Sequence, residues 1–200
     1  MAKVYPNVGG APGIDCGGGE GERRQEATTL TVWRKSLLFN CNGFTVFDAK
    51  GNLVFRVDNY GEDRGEVVLM DAKGIPICTI RRKKLSLVDH STIYNGEESV
   101  NPIFSVKKHV TLGRSKTLAH VTPSSGGGCG CGAAYTIEGS YSRRSCAVYD
   151  GQRRQVAELS RKESDGGVAL GADVFRLVVQ PDLDTCLAMA IIVVLDQMFE

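Results

Sequence analysis

The sequence has no surplus of charge of either sign: 24 lysines and arginines face 23 aspartates and glutamates, a formal net charge of +1. A chain so balanced is not drawn as a whole to nucleic acid, so no nucleic-acid partner is expected and any electrostatic partner must be met by a local patch. A paired cysteine framework is also missing. The seven cysteines, at Cys16, Cys41, Cys78, Cys129, Cys131, Cys146 and Cys186, are odd in number and scattered. Cys78, Cys146 and Cys186 sit in apolar runs, where a free thiol is a small hydrophobe. The opening MAKVYPNVGGAPGIDCGGGE has no apolar core of a secretory signal, so a reducing, cytoplasmic compartment is expected.

No apolar run reaches the length of a membrane span. The terminal CLAMAIIVVL, Cys186 to Leu195, has about half of the roughly 20 residues a span requires. Its flanks, Asp182, Asp184, Asp196 and Glu200, are acidic and do not supply the basic flank that orients a span. Burial in a core is therefore the expectation, with no transmembrane segment. Catalytic signatures are missing as well: there is no Gly-x-Ser-x-Gly elbow, no His-Glu-x-x-His and no evident pair of placed carboxylates. The chain reads as a non-enzyme with no catalytic residues. Cys129 and Cys131 in CGCG are one residue apart, not at the usual zinc spacing, and His90, His109 and His120 are each isolated in sequence, so no metal or other cofactor is expected. The Gly-rich loop 124 to 134 has no Gly-Lys-Ser/Thr and fails as a phosphate loop; redox-reactive thiols are its functional remainder.

What is present is a long series of short strands. Residues 1 to 28 are rich in Gly, Pro and charge and read as a disordered lead-in to a single domain over 29 to 200. From Thr31 to Gln180, alternating or apolar runs are punctuated by Gly, Asn and Asp at strand-length intervals, the all-β signal, with enough strands for a closed barrel. FTVFDAKGNLVFRV and VVLMDAKGIPICTI repeat one hairpin. Asp48 and Asp71 can accept from backbone two residues on, while Gly51 and Gly74 supply positive φ. CAVYDGQRRQVAELSRK is a third copy, with Asp150-Gly151 in place of the four-residue turn. After Pro181, Asp184 is placed to cap a helix. The β-branched IIVV argues for a strand instead; a helix apolar on all sides must be buried on all sides, and a barrel lumen offers that.

The blocks VWRKSLLFNCNGFTVFDAKGNLVFRVDNY, VVLMDAKGIPICTIRRKKLSL, IFSVKK, IEGSYSRRSCAVYDG and LAMAIIVVLDQM, in this order over roughly residues 30 to 199, resemble the plant LURP-one-related family. The resemblance implies a mainly β, tubby-like fold. That fold is a closed antiparallel barrel of twelve strands around one buried hydrophobic helix near the C-terminus, about 183 to 198, shared with Tubby C-terminal domains and phospholipid scramblases. It also implies a link to defence against oomycete pathogens, with no established catalysis. Two departures from the family are the Gly-rich loop and Ser91, which stands where a Trp is expected.

The densest charge is IRRKK, Arg81, Arg82, Lys83 and Lys84, with Lys107 and Lys108 further on. Strand alternation puts Arg81 and Lys83 on one face and Arg82 and Lys84 on the other, so some must lie beyond the strand's end. By analogy of fold with Tubby, these six residues are the candidate lipid-headgroup site, for a phosphoinositide or other anionic lipid; the plainer alternative is a solvated rim that guards strand ends. Arg143, Arg144, Arg153 and Arg154 form a second basic cluster. The expected role is a monomeric, intracellular binding and signalling module in plant defence or stress response. Its partner would be an anionic membrane lipid or a signalling protein, and its place the cytoplasm, the plasma-membrane periphery or the nucleus. A membrane-tethered scramblase-like protein is the alternative, as is a protein adaptor with no lipid ligand.

Overall fold

The computed structural model describes residues 26–38, 42–59, 65–83, 88–110, 115–124, 133–163 and 171–200. The N-terminal lead-in therefore falls outside the described residues up to 25, and Thr28 already opens the first strand. Twelve strands follow in chain order: β1 (Thr28–Trp33), β2 (Asn42–Phe47), β3 (Leu53–Asn59), β4 (Glu66–Asp71), β5 (Pro76–Arg82) and β6 (His90–Asn95), then β7 (Pro102–Lys108), β8 (Thr117–Pro123), β9 (Tyr135–Ser140), β10 (Ser145–Tyr149), β11 (Gln155–Arg161) and β12 (Val174–Val179). Each pairs antiparallel with its neighbours in sequence, and β1 pairs with β12 from Thr28 opposite Val179 to Trp33 opposite Val174, which closes the barrel. Closure leaves none of these strands with an open edge.

The period of two in the sequence is the cause of this arrangement. Alternate side chains point inward, and Leu30 and Val32 of β1, Phe104 and Val106 of β7, and Phe175 and Leu177 of β12 are all at most 5% exposed. The hairpin turns form as their residues dictate. The Asp48 carboxylate accepts from the Lys50 and Asn52 amides at 2.8 Å each, and Asp71 does the same for Lys73 and Ile75. Gly51 and Gly74 take φ of 83° and 84°. The third turn differs from the expectation. It too is four residues long, with Asp150 accepting from Gln152 and Arg154, but the left-handed position falls on Arg153 at φ 64° and not on Gly151. Gly151 immediately after the Asp misled, because the position that needs positive φ is the third after it.

The C-terminal segment is a helix, α1 (Thr185–Phe199). Its start is set by Asp184, which stands outside the helix as its cap and accepts from the Leu187 amide at 2.9 Å. Every residue from Leu187 to Leu195 is buried and joins one core with the inward residues of the strands. IIVV is therefore helical because the lumen surrounds it on all sides; burial outweighs a β preference worth well under about 1 kcal/mol per residue. At about 1.5 Å per residue, its 15 residues run about 22 Å, short of the ~30 Å of a hydrocarbon core. Among the described residues no helix is long and apolar enough to cross a membrane. Ser91, the departure from the family, points into the barrel from β6; it is fully buried and its hydroxyl has no hydrogen-bond partner.

Candidate anion-binding face

Strand parity divides the basic cluster. Ile80 of β5 and Val106 of β7 point into the barrel, so Arg82 and Lys108, two residues on, do the same at the barrel's end. There they meet the C-terminus of α1. Arg82 Nη1 donates to the Gln197 carbonyl at 3.1 Å, and Lys108 Nζ donates to the Met198 carbonyl at 3.0 Å. These belong to the last carbonyls of a helix, which have no partner inside it. Asp89 bridges the two cations, hydrogen-bonded to Arg82 Nη2 and 3.3 Å from Lys108 Nζ. The Arg82 hydrogen bond is the main reason the Asp89 carboxyl lies below its ordinary range.

Two more cations complete the ring. Arg34 Nε lies 2.8 Å from Asp196 and its Nη1 2.8 Å from Glu200, while Arg144 Nη2 is 2.8 Å from the other Glu200 oxygen. Arg144 is buried against aromatic faces, its guanidinium carbon 4.4 Å from the Tyr141 ring centre and 4.8 Å from that of Phe175. The last turn of α1 contains no basic residue. The barrel thus supplies the positive charge that a helix C-terminus favours, worth up to about 2 kcal/mol per group in partly buried geometry. Burial is the largest influence on Asp196 and raises its carboxyl above the usual range despite the Arg34 contact. Nothing local in the sequence marks Arg34 or Arg144 for this role.

The outward face holds the rest. Arg81 is well exposed and lies 3.2 Å from Glu66. Lys83 lies past the end of β5, yet its amide donates to the His90 carbonyl at 2.8 Å and extends the register by one pair. Lys83, His90, Lys107 and His120 then sit side by side on the outer surface across β5, β6, β7 and β8. Lys83 and Lys107 are exposed, and neither forms an ion pair with a described residue. Lys84 lies outside the described residues. His90 Nε2 is 2.6 Å from the Ser105 hydroxyl; burial, then the nearby Lys83 and Lys107 ammonium groups, push its imidazole below the ordinary range. His120 Nε2 is 3.1 Å from His109 Nδ1, with the rings edge to face at 5.1 Å between centres. Three histidines that are isolated in sequence thus gather around one lysine.

The second basic cluster does not converge. Arg144 turns inward, whereas Arg153 pairs with Glu138 at 2.7 Å and Arg154 with Asp150 at 2.8 Å at the third hairpin. Cys129 and Cys131 lie outside the described residues. Burial pushes the Cys146 thiol up to about 11 and the Cys186 thiol to about 12, and raises Cys78 as well. These three stay protonated and act as apolar filler. A cavity of about 220 Å³ opens beside the helix end, walled by Phe44, Val57, Val67 and Val193 below Arg34 and Lys35.

The sequence pattern described as LURP-one-related matches residues 28–196. Protein LURP-one-related 8 of Arabidopsis thaliana is 49% identical over 178 residues, covering 86% of this chain and 88% of the relative. Protein LURP-one-related 5 of Arabidopsis thaliana is 45% identical over 182 residues, covering 87% and 84%. An X-ray structure of a protein from Arabidopsis thaliana superposes with a TM-score of 0.62 at 23% identity, over 87% of this chain and 92% of that one, which is a likeness of fold. The match runs from the first strand of the barrel into the helix that fills it, and this chain belongs to the LURP-one-related family.

Proposed function

We propose that this protein is a non-enzymatic signalling module of plant defence or stress response. In this reading it works inside the cell, peripherally at a membrane, and engages an anionic lipid through the outer barrel face that carries Arg81, Lys83 and Lys107. The observation that carries the reading is the division of the basic cluster. Arg82 and Lys108 are occupied with helix carbonyls and Asp89, while Lys83 and Lys107 are exposed and without an ion-pair partner among the described residues. Exposed lysines near an anionic surface are worth about 1 kcal/mol each. A few acting together give a reversible, salt-sensitive attachment. The non-enzymatic part of the reading draws on where the acids are used: Asp48, Asp71 and Asp150 spend their carboxylates on turn amides.

Vesicle flotation tests the reading. The wild type is expected to float with phosphatidylcholine vesicles that contain a phosphatidylinositol bisphosphate and to be released by salt. The triple variant Arg81→Gln, Lys83→Gln, Lys107→Gln should bind about a hundredfold more weakly, three groups at about 1 kcal/mol each. Equal flotation of the two proteins would take the lipid site off this face, and no flotation of the wild type would sink the lipid reading and leave a protein partner.

A further inference from the structure

We infer that the outer row of Lys83, His90, Lys107 and His120 is a phosphomonoester-binding site whose histidines contribute more to its grip as pH falls. The inference rests on the lipid reading above and narrows it to a ligand chemistry and a regulating variable. Neighbouring strands are about 4.8 Å apart, so the register sets Lys83 and Lys107 about 10 Å apart, with the His90 ring between them. A phosphate seated over His90 is within reach of both long side chains.

The surroundings of each ring favour an anion. His90 faces Lys83 and, diagonally, Arg81 from β5, and Lys107 and Ser105 from β7. His120 faces Lys107 from β7, His109 just beyond that strand, and Thr136 of β9. The nearby carboxylates are already engaged. Glu66 meets Arg81, Glu138 meets Arg153 with Lys116 close by, and Asp89 lies at the barrel's end between Arg82 and Lys108. The row therefore has two fixed positive charges, plus one for each histidine that takes up a proton.

Protonation and binding are then linked. In the free protein burial, and after it the repulsion of Lys83 and Lys107, holds the His90 imidazole below its ordinary range. A bound phosphate cancels that repulsion and accepts a charge-assisted hydrogen bond from the imidazolium, so His90 gains a proton as the ligand binds. A site that takes up a proton on binding gains affinity as pH falls, by at most about tenfold per pH unit for each proton.

The test compares pH profiles. Full-length protein is titrated between about pH 7.5 and pH 5.5, the span in which histidine titrates. The probes are phosphatidylcholine vesicles containing a phosphatidylinositol bisphosphate and, separately, soluble inositol hexakisphosphate. The phosphate itself loses charge over this range, since its second pKa is about 6, so binding by fixed charges alone must weaken with acid. The ratio of wild-type affinity to that of His90→Gln/His120→Gln is expected to grow about tenfold from the upper to the lower pH, with circular dichroism showing both proteins folded. The His90 ring resonance should titrate at higher pH when ligand is present. The same growth with both probes assigns the site to the phosphate groups, and growth with vesicles alone assigns it to a headgroup in its bilayer. A constant ratio, with binding still lost in Lys83→Gln/Lys107→Gln, overturns this inference and leaves the lipid reading standing. No binding by the wild type to either probe at any pH overturns both.

Discussion

Arg81 and Arg82 carry the same guanidinium, yet one meets Glu66 in solvent and the other donates to the Gln197 carbonyl inside the barrel's end. The alternation of a strand was legible in IRRKK, and it correctly separated Arg81 and Lys83 from Arg82. Which face looked inward depended on Ile80 and on register, and the partners of the inward pair lie at the far end of the chain. Ser91 shows what a single inward position costs. Its buried hydroxyl has no partner, and a desolvated polar group left unpaired costs about 1–3 kcal/mol. Ser91→Ala is expected to raise stability by about 1 kcal/mol, read as an upward shift of about 2–4 °C in Tm by calorimetry. A lower Tm would mean the hydroxyl is satisfied in solution. The histidine row was illegible for a plain reason: His90, His109 and His120 are brought together by pairing across three strands, and no local pattern encodes that pairing.

Among the elements, the hairpins were the easiest to read because their turns are closed by side chains only a few residues away. Asp48 with Gly51 and Asp71 with Gly74 have their predicted geometry, whereas the third turn was read as Asp150-Gly151 alone and is in fact a four-residue turn with Arg153 in the left-handed position. The helix was harder, since CLAMAIIVVL has propensities on both sides. Its Asp184 cap was legible, and its helical state follows from the space it fills. Ile192 is 2% exposed and lies in the middle of that space. Ile192→Asp places an unpaired charge there, a cost of several kcal/mol that is a large share of a domain's total stability. The variant is expected to be unfolded by circular dichroism, whereas Ile192→Val should cost only about 0.5–1.5 kcal/mol. A folded Ile192→Asp protein with wild-type Tm would show that the helix lies elsewhere.

For the molecule as a whole, periodicity gave enough strands for a closed barrel and all-round apolarity gave a segment to fill its lumen, while the number twelve and the single buried helix came from the family resemblance. Closure predicts one cooperative unit. Amides 185 to 197 should exchange with solvent only through global unfolding and be the slowest in the chain, as measured by native-state hydrogen exchange. Fast exchange there, with slow exchange in β5 and β7, would mean that the helix leaves the barrel without unfolding it. The order of elements along the chain sets a further constraint, on synthesis. All twelve strands precede α1, and β1 must wait for β12 before the ring can close. A growing chain therefore carries a complete set of strands with an empty centre until α1 leaves the ribosome. The barrel therefore cannot close around its core until α1 has been made, and the strands are exposed to one another for as long as that takes.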